Sequence, residues 1–156
     1  MIIDIVNTLP RHPEKDYIIR RLSSIDQIAI HHAEADHNPW QIARWHVGGK
    51  DWPGISYDAV ITQDGQKWKT SLDREIGYHV RGNNTRSLGI CVGMDLTHKE
   101  PPSNIYLALI EVTILYANAY GVSTDNIYGH RELVSSDCPG ELDMEKVREV
   151  VRIFRR

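Results

Sequence analysis

Two hydrophobic periods alternate along the chain. Short runs dense in β-branched and aliphatic residues, QIAIH at 27–31 and SLGICVGM at 87–94, predict strands covered on both faces. Residues 57–62 and 66–70 flank Asp64-Gly65, a pair suited to a two-residue turn, and so predict a hairpin. A helical pattern follows Asn38, which can cap, and Pro39, which suits the first helical position. Trp40, Ile42, Ala43 and Trp45 then build an apolar face up to Gly48 and Gly49, with Trp40 and Trp45 expected in the core. SNIYLALIEVTILYANAY, at 103–120, predicts a long central helix capped by Ser103 and stopped by Gly121. Residues 126–129 predict a short strand running into His130. The segment 143–154, with Met144, Val147, Val150, Val151 and Phe154 at helical spacing, predicts a last helix with basic residues at its end. Alternating strands and helices place the chain in the α/β class, as a single domain with a mixed central β-sheet flanked by helices. Residues 1–25 are expected to be a lead-in segment packed on a domain spanning 26–156.

Composition narrows the classes. A length of 156 residues with 41% apolar and 25% charged residues suits one domain with a full core and excludes wholesale disorder or a fibre. Eighteen basic against 21 acidic residues give −3, which argues against a nucleic-acid partner. Two cysteines cannot build a disulfide scaffold and suit a reducing compartment. No run reaches the ~18 apolar residues of a membrane span. The start, MIIDIVNTLPRHPEKD, carries an early Asp4 and no basic segment followed by a long apolar run. A chain made in the cytoplasm without a signal peptide, and not inserted in a membrane, is therefore expected, and it is taken to be a monomer. Eight histidines are the compositional oddity, and they direct attention to metal or acid/base chemistry.

The strongest local signal is GHRELVSSDCPG at 129–140, where His130 and Cys138 stand eight positions apart. Imidazole and thiolate both bind zinc, and a loop of this length can fold two ligands onto one ion, although a hydrogen-bonded histidine near a buried thiol explains the pair equally well. A third ligand is available from IAIHHAEAD. His31 and His32 must point to opposite sides of an extended strand, so at most one faces a given site, and alternation alone does not say which. Two histidines and one cysteine leave a fourth zinc position open, the arrangement of a catalytic rather than a structural site, and hydrolysis is the implied reaction class.

Taken in order, IAIHHAEA, WPGISYDAVITQDGQ, HVRGNNTRSLGICVG and GHRELVSSDCPG resemble the zinc-dependent N-acetylmuramoyl-L-alanine amidases. That family includes short phage endolysins and shares its fold with the peptidoglycan recognition proteins. The resemblance covers residues 26–140 and implies one Zn²⁺ held by His31, His130 and Cys138, with His32 left as a support residue. It further implies a catalytic role for Tyr57 beside the metal and substrate contacts from His79, Asn84 and Ser136. Two departures stand out. Asp58 replaces a family histidine, and Ser136 occupies a position often taken by Lys or Thr, so only a neutral hydrogen bond is on offer there. Asp137 is a further candidate neighbour for a water at the metal, and Arg81 and Arg86 are candidates for stem-peptide carboxylates. Cys91 reads as a packed thiol. The implied partner is bacterial peptidoglycan, cut between N-acetylmuramic acid and L-alanine by an endolysin that reaches the wall after the membrane is permeabilised. The alternatives are a cytoplasmic muropeptide-recycling amidase and a non-catalytic peptidoglycan-binding module.

Overall fold

Six strands form one mixed sheet in a computed structural model that describes residues 1–155. In chain order they are β1 (Ile3–Asp4), β2 (Gln27–His32), β3 (Ala59–Ile61), β4 (Lys67–Lys69), β5 (Ser87–Val92) and β6 (Ile127–Gly129), arranged β1-β4-β3-β5-β2-β6 across the sheet. Strands β3, β5, β2 and β6 are parallel, β4 runs against β3, and β1 lies parallel to β4. Helices α1 (Pro39–Gly48), α2 (Ser103–Tyr120), α3 (His130–Leu133) and α4 (Met144–Phe154) complete the α/β domain.

Side-chain alternation sorts the strands onto two cores. Ile28, Ile30, Leu88, Ile90, Ala59 and Ile61 pack with Ile105 and Leu109 of α2 and with Val147 and Val151 of α4. Val60 and Cys91 pack on the opposite face with Ile42 and Ala43 of α1, joined by Ile5 and Leu9. Both faces are covered, which is why residues 28–30 of β2 and 88–92 of β5 read as continuous apolar runs. His31 pairs in register with Cys91, so its side chain falls on the α1 face. Cys91 is the packed thiol expected, fully buried there.

Four local expectations change. The buried stripe of α1 is Pro39, Ile42, Ala43 and His46, so His46 points inward while Trp45 is 58% exposed; Trp40 packs edge-on against Trp68 at 5.5 Å. The hairpin loop has three residues, Gln63-Asp64-Gly65, because Thr62 N donates to Gln66 O at 3.0 Å and Gly65 N to Thr62 O at 2.8 Å. Gly65, at φ +80°, supplies the left-handed residue that closes such a loop. Helix α2 is preceded by Pro102 at the cap, without a side-chain bond, and Ser103 is already its first residue. The same helix covers one face rather than lying at the centre, with Leu107 and Leu115 exposed.

Residues 1–25 are woven into the body. β1 adds an edge strand, and Ile5, Val6, Leu9, Tyr17 and Ile25 are buried. Tyr17 donates to Ile55 O at 2.5 Å, and Arg11 holds Glu75 through both oxygens at 2.7 and 3.0 Å. Arg20 is buried and donates to Asp73 O at 2.7 Å and to Ser87 O at 2.6 Å. Among the described residues no helix is long and apolar enough to cross a membrane.

Candidate metal centre

Three chain segments converge on the α1 face. Strand β2 ends at His31 and His32, β6 ends at Gly129 directly before His130, and the loop after α3 returns with Cys138. One donor atom each from His31, His130 and Cys138 lies within 4.8 Å of the others. His31 Nδ1 is 3.8 Å from Cys138 Sγ, and the rings of His31 and His130 are 4.6 Å apart.

Each donor has a distinct anchor. Glu132 fixes the start of α3 by accepting from Gly129 N at 2.6 Å, one residue before His130. Cys138 is held from both sides. Its N–H donates to Ser136 Oγ at 3.1 Å, and its carbonyl accepts from Arg131 N at 2.8 Å. The thiol also receives the N–H of His32 at 3.3 Å. The His32 imidazole faces the other way, its Nδ1 accepting from Leu96 N at 3.0 Å, so the adjacent histidines do point to opposite sides.

Electrostatics suit a cation. Burial lowers His31 well below its ordinary value, aided by the neighbouring imidazoles of His79 and His130, and burial lowers His130 as well. Both rings are therefore neutral with lone pairs to offer. Burial pushes the Cys138 thiol up to about 11, although the His32 N–H opposes this, so a thiolate there calls for a positive partner. Two neutral imidazoles and one thiol within a few ångström match the donor set of zinc.

The cluster lies in a cleft of about 420 Å³. Tyr57 lines it with its ring 5.1 Å from that of His31. Burial raises the Tyr57 phenol well above its ordinary value, with the thiols of Cys91 and Cys138 adding to the effect, so the hydroxyl remains a donor. Ser136 also lines the cleft. Trp45, Trp52 and Tyr78 also line it, with the Lys50 ammonium 5.7 Å from the Trp45 ring, and Arg81 is a further lining residue.

Several expected contacts lie elsewhere. Asn84 is outside the cleft lining, because its Oδ1 is used to accept from Val80 N at 2.7 Å and so closes the turn. Asp137 is exposed and faces an adjacent pocket with Gly140 and Glu141. Arg86 is engaged with Asp26 at 2.5 Å. His79 lines the cleft but is only 6% exposed, and its Nδ1 lies 2.9 Å from His31 Nε2. Asp58 is buried beneath the site, accepting from Gly89 N at 2.7 Å and Ser71 Oγ at 3.0 Å, with Arg20 at 3.5 Å. Burial lifts its carboxyl to about 7 against the pull of Arg20. His46 belongs to none of the sequence motifs, yet its Nδ1 accepts from Ser56 N at 3.0 Å, next to Tyr57. The i, i+3, i+4, i+7 stripe through Pro39 carries that signal.

Comparison with known proteins agrees with this architecture. The chain is similar over 97% of its length to the Ph2119 endolysin of a Thermus scotoductus bacteriophage, at 29% identity and a TM-score of 0.83 over 99% of that chain. It shares the fold of peptidoglycan recognition protein LE, solved in complex with tracheal cytotoxin, at 19% identity and a TM-score of 0.80 over 95% of this chain and 92% of that one. It is 27% identical to the pig (Sus scrofa) N-acetylmuramoyl-L-alanine amidase over 106 residues, 67% of this chain, and that match spans only 18% of the pig protein. The family model described as N-acetylmuramoyl-L-alanine amidase matches residues 21–141, which takes in all three convergent donors and Tyr57, and the chain belongs to that family.

Proposed function

We propose that this chain is a zinc-dependent amidase that hydrolyses the bond between the lactyl group of N-acetylmuramic acid and L-alanine of the stem peptide. In this reading it serves as a phage or prophage endolysin acting on bacterial walls. The observation that carries the reading is the convergence of His31, His130 and Cys138 at a cleft whose wall also holds Tyr57. Similarity to a phage endolysin along nearly the whole of both chains supports the role in lysis.

Zinc held by these three side chains supplies Lewis acidity toward a carbonyl and toward water. The protein supplies the rest. Tyr57, protonated at neutral pH, donates to the oxygen on which charge develops as the amide carbonyl becomes tetrahedral. Ser136 uses an oxygen lone pair on the Cys138 amide, which leaves its own proton for a substrate carbonyl. Trp45, Trp52 and Tyr78 offer flat apolar surface to sugar or peptide, and Lys50 and Arg81 offer charge to stem-peptide carboxylates.

The decisive experiment incubates wild type and Cys138→Ala with purified sacculi and with small soluble muropeptides, and measures new L-alanine amino termini and bound zinc. Wild type should hold about one zinc and release soluble fragments from sacculi, and the variant should do neither. Turnover confined to soluble muropeptides would replace the endolysin role with a recycling one. Zinc-loaded wild type that binds sacculi and generates no amino termini would make the protein a binding module.

A further inference from the structure

The sequence points to His79 as a substrate contact, yet the side chain is buried and spends its Nδ1 on His31 Nε2, 2.9 Å away. The two rings meet at 80°, with centroids 5.0 Å apart. The other nitrogen of His31, Nδ1, faces Cys138 Sγ. We propose that His79 is a positioning residue, which accepts the Nε2–H of His31 and so holds that ring with its Nδ1 lone pair turned toward the metal centre.

Proton bookkeeping gives the direction of the bond. One nitrogen of the His31–His79 pair must donate, and a neutral imidazole carries one proton. Were His79 Nδ1 the donor, the His31 proton would sit on Nδ1, between that nitrogen and the ion. Ligation by Nδ1 therefore puts the His31 proton on Nε2 and makes His79 Nδ1 the acceptor. The His79 proton is then on its own Nε2, which is buried with no hydrogen-bond partner among the described residues.

The seat of His79 is built for this contact. A Cβ on Gly89 would lie 2.9 Å from both Cγ and Nδ1 of the His79 ring, so the ring rests where β5 has no side chain. Gly89 is itself fixed, its N–H donating to Asp58 Oδ2 at 2.7 Å and its carbonyl accepting from Asp58 N at 2.8 Å. Asp58, Gly89, His79 and His31 thus form one chain of contacts from the sheet to the metal donors.

This inference rests on the zinc reading, and the test separates the two. His79→Asn places an amide oxygen near the lost Nδ1, and His79→Leu keeps bulk without an acceptor. Zinc affinity is measured by competition with a chromophoric chelator, with folding checked by circular dichroism. His79→Asn should stay within about threefold of wild type and His79→Leu should bind about 10- to 100-fold more weakly. In ¹⁵N-labelled, zinc-loaded wild type, NMR should show the His31 proton on Nε2 and a coupling across the hydrogen bond to His79 Nδ1, a readout independent of whether the leucine variant folds. Equal zinc affinity in folded His79→Leu, or a His31 proton on Nδ1, overturns the positioning role alone. Wild type that takes up no zinc overturns the metal centre and this inference with it.

Discussion

Arg148 of α4 grips Glu132 of α3 through both terminal nitrogens, Nη1 to Oε2 at 3.0 Å and Nη2 to Oε1 at 3.1 Å. The same Nη1 donates to Ile127 O at 2.9 Å, and the same Oε2 accepts from Gly129 N. The last helix is thereby tied to the end of β6 where His130 begins. Glu132→Ala should lower stability by about 1–3 kcal/mol, since it leaves a largely buried guanidinium and a backbone N–H short of partners. Zinc affinity should fall as well. Urea midpoints and chelator competition check this, and a variant matching wild type in both would refute the link.

Tyr57→Phe separates binding from chemistry. Loss of one oxyanion donor should reduce kcat by about 10²- to 10³-fold. Zinc content should be unchanged, since in this reading His31, His130 and Cys138 hold the ion. Metal analysis with initial rates on muropeptides tests the split, and an unchanged kcat removes Tyr57 from the reaction.

The buried His46 makes stability depend on pH. Burial, with Lys50 adding, lowers it to about 4, and its Nδ1 lone pair is committed to the Ser56 N–H. The folded chain resists protonating a group that the unfolded chain protonates near pH ~6.5. Its contribution is therefore complete above that pH and is lost as pH falls toward 4. His31 and His79 act with the same sign, so the comparison must isolate one residue. His46→Asn, which keeps an acceptor without a titratable group, should lose less stability than wild type between about pH 7 and 4.5. Parallel urea-midpoint profiles for the two proteins would contradict this.

Gly140 closes the turn after Cys138 at φ +68°, and an added Cβ would meet Leu96 O at 2.2 Å. Gly140→Ala should cost at least about 1 kcal/mol from backbone strain, with the clash in addition. Displacement of Cys138 should weaken zinc binding in the same variant. Thermal melts with and without zinc test both effects.

The strands and helices were legible because burial on one or two faces leaves its period in the sequence. His130 and Cys138 stood out as a candidate pair because imidazole and thiolate both suit zinc, whereas the choice of His31 over His32 came from the family resemblance and not from strand alternation. What escaped depends on contacts between distant segments. Trp45 and His46 are neighbours in sequence, and only the full stripe through Pro39, Ile42 and Ala43 shows that the polar residue is inside. Asn84 is turned into the backbone of its own loop, an outcome that composition cannot distinguish from a substrate contact. Nothing local in the sequence marks Arg20 for burial, and the carbonyls of Asp73 and Ser87 with the Asp58 carboxylate make a buried place for it.

The pairing of β2 with β6 joins residues about a hundred positions apart, and His31 meets Cys138 across 107 positions. No local fragment of the chain can assemble these donors. If the chain takes up zinc as proposed, metal uptake is a readout of topology. A molecule acquires the site only after β2 and β6, its paired strands farthest apart in sequence, have docked, a slow class of event in chains dominated by non-local contacts. Zinc that binds the folded chain and not the unfolded one would stabilise that late arrangement as free metal rises above its dissociation constant. Stoichiometric loading would then count the molecules that have completed the fold.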